Sequence, residues 1–418
     1  MATNENEVVL QSSAHVDARD FRIEAIQLIS ASGIAMDITK LVVEIQVRQD
    51  MYLGFLSGEM MIMDGIDVHS QLGLHGEEYI FLHLKVPEQD LKLKKAFRIY
   101  KVANRENNSQ QSSQRYLVYF TSDEMYHAQR INISKAYRST TLAEIAKDVL
   151  INYLNVAENR IFISTQDTRQ LSIIVGNWKP SYTLNWLASR GVGSPHFFFE
   201  TFEGFHWKSL KAIYAEGTKI KVPFFFENKR GNKDLDMDKF AIDSVEARRD
   251  FDIISTISSG GHGISLTTID PITQSVVTND YDLSDISTLY KNPVMTGKTD
   301  PKSHLLTYLN TSNIDQWITR NMHLSVLNNS LIEIVIPGNM GAQIGSLINL
   351  RLPYVLPPAD GDQWDDVKTG KYLVVAANHK FDLTAHKYTT LLMLARDSVP
   401  KSLPMADSKL VERVRGMV

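Results

Sequence analysis

Apolar and polar positions alternate over the early part of the chain. Val43, Ile45 and Val47 interleave with Glu44, Gln46 and Arg48, the period of two that a half-buried strand imposes. The same alternation predicts strands at 59–63, 79–86, 97–102 and 116–122. Between the last two, residues 105–114 read RENNSQQSSQ, a polar run that predicts an exposed hairpin tip. Strands at this spacing, with no helical stretch among them, predict a small β-barrel or sandwich.

The period then changes. Leu142, Ile145, Ala146, Val149, Leu150 and Tyr153 fall at i, i+3, i+4, i+7, i+8 and i+11, one apolar face of a helix. Thr141, with Glu144 three residues on, predicts a capping box at its start. A second helix is predicted over 181–189, entered through Pro180 and burying Leu184 and Leu187. Residues 197–201 and 205–208 flank Glu203-Gly204 and predict a β-hairpin. The charged stretch NKRGNKDLDMD at 228–238 reads as a connector. Beyond it the strand pattern returns at 242–255, 263–270, 330–337, 344–352, 371–377 and 388–395. The interval 278–315 is weakly patterned and predicts loops with a short helix.

The two strand-rich regions end alike. Ala103-Asn104-Arg105 precedes a polar tip and then Arg115-Tyr116, while Ala377-Asn378-His379 precedes a shorter tip and then Lys387-Tyr388. The first match is offset by 274 residues and the second by 272. Upstream, Leu82-His83-Leu84 and Leu350-Arg351-Leu352 match at 268, and Gly76 and Gly345 at 269. Order and spacing agree as well as residue type, the mark of an internal duplication.

Composition narrows the class. The 418 residues are 43% hydrophobic and 22% charged, enough to bury full cores. At roughly 150 residues per domain that predicts two to four domains. Lys plus Arg number 44 against 48 Asp plus Glu, a formal net charge of -4. That balance argues against a dedicated nucleic-acid binder but is compatible with a chain that encloses DNA without gripping it. With no cysteine, disulfides, thiolate metal sites and cysteine nucleophiles are excluded, and a reducing cytoplasm is the simpler place to fold. The polar N-terminal arm shows no signal pattern, and no apolar run approaches the ~20 residues that span a bilayer.

Catalytic patterns fail one by one. In Gly54-Phe55-Leu56-Ser57-Gly58 the serine sits one place late for a nucleophile elbow. Gly297-Lys298-Thr299 resembles the end of a phosphate loop, but Asn292 replaces its first glycine and Pro301 cuts off the helix it must open. Asp234, Asp236 and Asp238 start like a calcium loop, yet Lys239 and Val245 occupy its glycine and glutamate positions. His75-Gly76-Glu77-Glu78 lacks the second histidine of a zinc-protease helix. The 12 histidines are scattered, His379 and His386 included, and read as surface or hydrogen-bonded groups. Asp365-Asp366 reads as a solvated turn. The aromatics Phe197, Phe198, Phe199, Phe202, Phe205 and Trp207 read as hairpin core, and Trp178, Trp186 and Trp317 as packing residues. No catalytic residue, cofactor or metal is expected.

The stretch Asn177-Trp178-Lys179-Pro180, continuing through Asn185-Trp186-Leu187-Ala188-Ser189-Arg190, resembles a segment of the baseplate hub proteins of contractile-tailed phages. So does the approach to it, Ile133-Ser134-Lys135-Ala136-Tyr137 leading into Asp148-Val149-Leu150. The run GISLTTIDPIT at 263–273 looks like the family's turn into its second barrel, and Gly370-Lys371-Tyr372-Leu373-Val374, with His379 and Phe381, like its closing strand pair. Residues 34–65, with Leu56-Ser57-Gly58-Glu59 and Asp64-Gly65, resemble the opening strands. The likeness runs in order over residues 20–400 and extends to the hub part of type VI secretion spike proteins.

The resemblance implies a mainly β chain with α+β character: two homologous antiparallel β-barrel domains around an intervening α/β domain. The expected divisions are an arm at 1–18, a first barrel at 19–127, the α/β domain at 128–215 and a connector at 216–239. A second barrel follows at 240–400 with a loop or helical insertion around 278–320, then a tail at 401–418. The implied function is structural: a homotrimeric hub in the virion baseplate, assembled in the host cytoplasm. It would adapt the six-fold tail tube, or a tube-initiator protein, to a three-fold central spike and enclose the DNA channel. Other baseplate proteins would contact it, and strand-edge pairing would close the ring. A hub of a non-viral contractile injection system is the alternative, and a tail-associated cell-wall hydrolase is the alternative of another class. The chain ends soon after its last strand, which the resemblance reads as favouring a separate spike protein. The tail, with Lys409, Leu410, Val411, Arg413, Val414 and Arg415, reads either as a spike-docking helix or as a disordered end.

Overall fold

The computed structural model describes residues 18–87, 89–108, 113–163, 169–226, 238–258, 261, 263–282, 288–290, 292–293, 303–308, 314–356 and 363–401. The polar tip at 109–112, most of the connector, the Gly297-Lys298-Thr299 run and the tail beyond Lys401 lie outside them.

The chain is mainly β. The first region contains β1 (Arg22–Ile29), β2 (Ala35–Asp37), β3 (Val42–Asp50) and β4 (Ser57–Asp64). It continues through a short helix α1 (Val68–Leu72) to β5 (Tyr79–Lys85), β6 (Lys92–Asn108) and β7 (Ser113–Ser122). Period-two alternation is carried through: Ile45 and Val47 on β3 and Met60 and Ile62 on β4 are fully buried, between half-buried or exposed neighbours.

Next come α2 (Asp123–Arg130), β8 (Ile133–Thr141) and α3 (Leu142–Asp148), whose last turn widens at Val149–Tyr153. The capping box is formed: Glu144 N donates to Thr141 Oγ1 at 3.2 Å, and Thr141 N donates back to the Glu144 carboxylate at 2.9 Å. A single turn (Glu158–Arg160) leads into β9 (Ile161–Ile163), β10 (Gln170–Trp178) and α4 (Pro180–Ala188), with Pro180 in its first turn. The hairpin β11 (His196–Glu200) and β12 (Phe205–Ser209) is followed by α5 (Leu210–Glu216). Phe198, Phe205 and Trp207 from the hairpin pack with Ile145, Val149, Leu184 and Leu187 in a core of their own.

The remaining elements are β13 (Phe224–Phe225), β14 (Ser244–Arg249), α6 (Ile253–Ser258), β15 (Gly263–Asp270), β16 (Ser275–Asp282), β17 (Asn292–Pro293) and β18 (Ser303–Tyr308). They are followed by α7 (Ile314–Leu327), β19 (Leu331–Pro337), β20 (Leu347–Arg351), β21 (Gly370–Asp382), β22 (Lys387–Ala395) and β23 (Ser398–Val399). Two expectations are corrected here. The strand predicted over 242–255 stops at Arg249, because Asp252 caps a helix by accepting from Ser255 N at 2.9 Å. The weakly patterned interval contains β16 and β18, which flank β15, and α7 packs Ile318, Met322 and Val326 onto Ile264 and Leu266. Trp317 on α7 is 42% exposed rather than packed.

One sheet of 13 strands runs through both β regions in the order β14-β19-β22-β21-β3-β4-β7-β6-β5-β1-β2, with β20 and β13 branching from β21. The path is open, and no ring of pairings closes among the described residues. It contains one strand order twice. The first six-strand unit runs β3-β4-β7-β6-β5-β1 and the second β14-β19-β22-β21-β20-β13. The last strand differs in direction: β1 pairs with β5 antiparallel, whereas β13 pairs with β20 parallel.

The units also align residue by residue. β6 bulges against β7 between Ile99 and Lys101, and β21 bulges against β22 between Val374 and Ala376. Matching these bulges sets the row Lys101, Tyr119, Glu59, Gln46 against the row Ala376, Met393, Glu333, Glu246. Two independent features agree with that register. Arg48 bonds Glu59 at 2.6 Å as Arg248 bonds Glu333 at 2.9 Å. Ser122 N donates to Leu56 O at 3.1 Å as Arg396 N donates to Ser330 O at 3.3 Å. Leu82 meets Leu350, as the spacing predicts, but Ala103 aligns with Asn378 and Tyr116 with Thr390. The sequence match there is out of register by one and by two. Core volume is conserved by exchange: Gly58 faces Phe120, whose ring leaves no space for a Cβ, where Ile332 faces Leu394.

Candidate assembly surfaces

The joint between the units is a strand pair. The last seven residues of β21 run antiparallel to β3, with His379 opposite Val47, Lys380 opposite Gln46 and Phe381 opposite Ile45. Side chains reinforce it. Asn378 Nδ2 donates to Gln46 Oε1 at 2.9 Å, and Lys380 reaches Glu44 at 2.8 Å. Beneath the sheet Phe381 stacks on Tyr388 at 4.2 Å and meets Phe21 edge-on at 5.3 Å. Both rings lie in the core of the first unit although they belong to strands of the second. His379 is fully buried with Nδ1 2.8 Å from the Tyr388 hydroxyl, and burial pushes its pKa down to about 3. His386 does not join it but stacks on Phe21 at 4.9 Å.

A charged node ties the first unit to the α/β region. Glu200, at the end of β11, is buried and accepts from Ser122 Oγ at 2.5 Å and Leu56 N at 3.1 Å. Lys95 contacts the same carboxylate and also reaches Glu124 at 3.2 Å, while Arg160 bridges Glu124 at 3.1 Å and Glu200 at 3.6 Å. Burial raises the Glu200 pKa and Lys95 opposes the rise. Four other chain segments converge on this carboxylate, which makes it a structural keystone.

A cavity of about 190 Å³ lies between the hairpin and the loop at 341–346, lined by Phe199, Thr201, His206, Lys208, Lys219 and Gly345 among others. Thr201 Oγ1 and His206 Nε2 are 2.9 Å apart, the geometry of a nucleophile and base. The chemistry does not follow. Thr201 is 2% exposed, and burial with nearby Lys208 and Lys219 drives the His206 pKa down to about 3, too weak for a general base near neutrality. Among the described residues no group of three or more His, Cys, Asp or Glu could hold a metal ion.

Among the open strand edges of the described residues, two occupy corresponding places beside the joint and its equivalent. β14 pairs only with β19, and its outer side is exposed from Glu246 to Arg249. The second half of β6, from Lys101 onward, pairs only with β7. Large apolar side chains are exposed around the insertion that follows β14: Phe251 is 71% exposed, Ile254 84% and Ile272 86%. The tail residues Lys409, Leu410, Val411, Arg413, Val414 and Arg415 lie outside the described residues. No helix of the described residues is long and apolar enough to cross a membrane.

No protein-family model and no curated protein matches the chain. Solved structures do. A tail protein from Neisseria meningitidis MC58 is 9% identical, with 91% of this chain and 98% of that one aligned at a TM-score of 0.58. The 43 kDa tail protein of prophage MuSo2 from Shewanella oneidensis is 11% identical, over 90% and 100% of the two chains, at 0.55. A chain of the Francisella PdpA-VgrG complex is 10% identical at 0.51, with 94% of this chain aligned to 55% of that one. In fold, the resemblance read from the sequence is met: this chain shares the fold of these tail proteins.

Proposed function

We propose that the protein is a structural component of a phage tail, the trimeric central hub of the baseplate. The observation that carries this reading is the strand order used twice in one chain. A closed three-fold ring presents each surface three times unless every chain carries that surface twice. Three chains with two units each offer six equivalent faces to a six-fold tube and three copies of everything else to a three-fold spike. The shared tail-protein fold supports the same reading. In this reading the units are homologous barrels at 19–127 and 240–400, closed only in the assembled ring. The segment 128–215 is the intervening domain, and the lumen passes DNA. A slightly acidic chain suits that passage, since a basic wall would bind phosphates. Its partners are the tube or its initiator, a separate spike and neighbouring baseplate proteins, and its work is assembly and load transfer rather than catalysis.

Light scattering on the purified full chain tests the trimer. The expected mass is three times the 47.3 kDa of one chain. A chain that stays monomeric at high concentration, even with its spike present, overturns the proposal. The fold shared with a chain of the Francisella PdpA-VgrG complex favours one second reading, the hub of a non-viral contractile injection system. A packaged genome in the purified particle separates the two.

A further inference from the structure

The cavity beside the hairpin lies where three parts of the chain meet. Its walls come from Leu91 of the first unit, from β11 and β12, from Lys219 and Ile220 after α5, and from residues 341–346 of the second unit. These walls are tied to one another. Gln89 Oε1 accepts from Met340 N at 2.8 Å and Gln89 Nε2 donates to Gly338 O at 3.0 Å, which pins the second unit's loop to the first. Thr218 bridges to Leu347 and Ile220 packs on the second core, which holds the backbone of Lys219 at the cavity wall. We infer that this cavity binds a small zwitterion, of the class of α-amino acids with an apolar side chain, and that the ligand clamps the three parts together. The site is complete in a single chain and needs neither the trimer nor the tail.

Charge selects the ligand. Lys208 is already neutralised by Glu216 at 2.7 Å. Lys219 and Glu203, the other charged groups of the lining, are exposed, and neither has an ion-pair partner among the described residues. The walls therefore offer one ammonium and one carboxylate, which a ligand carrying both charges satisfies. An unpartnered donor lies beside them. His206 is sandwiched between Phe162 and Phe199, with ring centroids 4.8 and 5.2 Å away, so only its edge is left to bond. Its Nε2 lies 2.9 Å from the Thr201 hydroxyl, which accepts from Glu203 N at 3.2 Å. Donation of that hydroxyl to Nε2 satisfies both groups and leaves the single proton of the neutral ring on Nδ1. Nδ1 is buried without a partner, which native folds rarely tolerate, and Lys208 and Lys219 are near enough to depress the ring's pKa. A carboxylate seated at Lys219 gives this N–H an acceptor. Leu91, Phe199, Ile220 and Ile344 supply the apolar wall. At about 190 Å³ the cavity is below the roughly 300–1,000 Å³ of drug-sized sites, which limits the ligand to one small molecule of amino-acid size.

Free leucine is the probe. Ligand-observed saturation-transfer NMR and calorimetry on the full chain compare it with N-acetylleucine, which lacks the cation, and leucinamide, which lacks the carboxylate. Leucine is expected to bind in the millimolar range, and each analogue at least about tenfold more weakly, the loss of one charge-assisted hydrogen bond. Lys219→Met should remove the preference for leucine over leucinamide, and Glu203→Gln the preference over N-acetylleucine. Both side chains are exposed, so the variants are expected to keep the fold, which thermal unfolding checks. Bound leucine should also slow hydrogen exchange of the amides at 341–346. N-acetylleucine binding as tightly as leucine, folded variants that keep both preferences, or no binding in the millimolar range overturns the site, whatever the oligomeric state.

Discussion

β3 and β14 are the same strand in two circumstances. Both carry Arg on the outer face, and both bond it to a glutamate on the next strand. Yet β3 is flanked on both sides, with Ile45 and Val47 fully buried, while β14 has one neighbouring strand among the described residues and is mostly exposed. The difference lies in what covers the edge, not in the strand. A unit whose edge is paired within the chain is finished at folding; in the proposed ring its counterpart is finished at assembly.

The largest effect expected is at the keystone of the first unit. Glu200→Ala leaves Lys95 and Arg160 without their shared carboxylate and should destabilise the first unit by about 3–5 kcal/mol. The equivalent positions in the second unit are Gly370, Ser330 and Arg396, and the buried carboxylate beside them, Asp397, accepts instead from the Tyr214 and Ser398 hydroxyls and Leu289 N. Denaturant unfolding is therefore expected to split into two steps, the first reporting loss of the first unit. A single unshifted transition would contradict the keystone role.

The strand comparison follows. Ile45→Ala in β3 should cost about 2–5 kcal/mol, because the side chain is fully buried. Val245→Ala at the equivalent site of β14 should cost about 1 kcal/mol or less in the isolated chain, where it is half-exposed. Equal losses would mean that β14 is already covered in the monomer.

Acid acts on the joint with a definite sign. His379 and His206 are held near pKa 3 when folded, against about 6.5 in an unfolded chain. The unfolded state thus binds more protons between those values. The stability from their neutral burial is full above about pH 6.5 and is lost as pH falls toward 3. Each histidine contributes at most about 1.4 kcal/mol per pH unit. Chemical denaturation at pH 7 and pH 5 measures this, and His379→Gln should flatten part of the slope.

The smallest expected effect is at the matched ion pairs. Arg48→Ala and Arg248→Ala should each change monomer stability by about 1 kcal/mol or less, since both sites are exposed. Chemical denaturation at two salt concentrations checks this, and a markedly larger loss for one variant would mean that the two pairs are not equivalent.

Much of this was legible in the sequence where interactions are local. Alternation located the strands of both units, Thr141 and Glu144 announced their capping box, and the 268-residue spacing of Leu82 and Leu350 survives in the structure. Register was not legible, because a bulge adds a residue without changing the apolar pattern. The Ala-Asn and Tyr matches therefore slipped. The helix at 253–258 was read as the end of a strand although Asp252 stands at its cap, and α7, which packs Ile318, Met322 and Val326 on Ile264 and Leu266, runs beyond the interval in which a short helix was expected. The joint was hidden too, since Gln46 and Asn378 meet across 332 residues of chain. An open edge has no sequence signature at all, being defined by a neighbour that is missing from the fold.

Symmetry-resolved imaging of the assembled particle tests the central claim most directly. The account predicts three chains in the ring, with six superimposable strand units around its wall. A ring in which the segments at 19–127 and 240–400 occupy non-equivalent positions would contradict it.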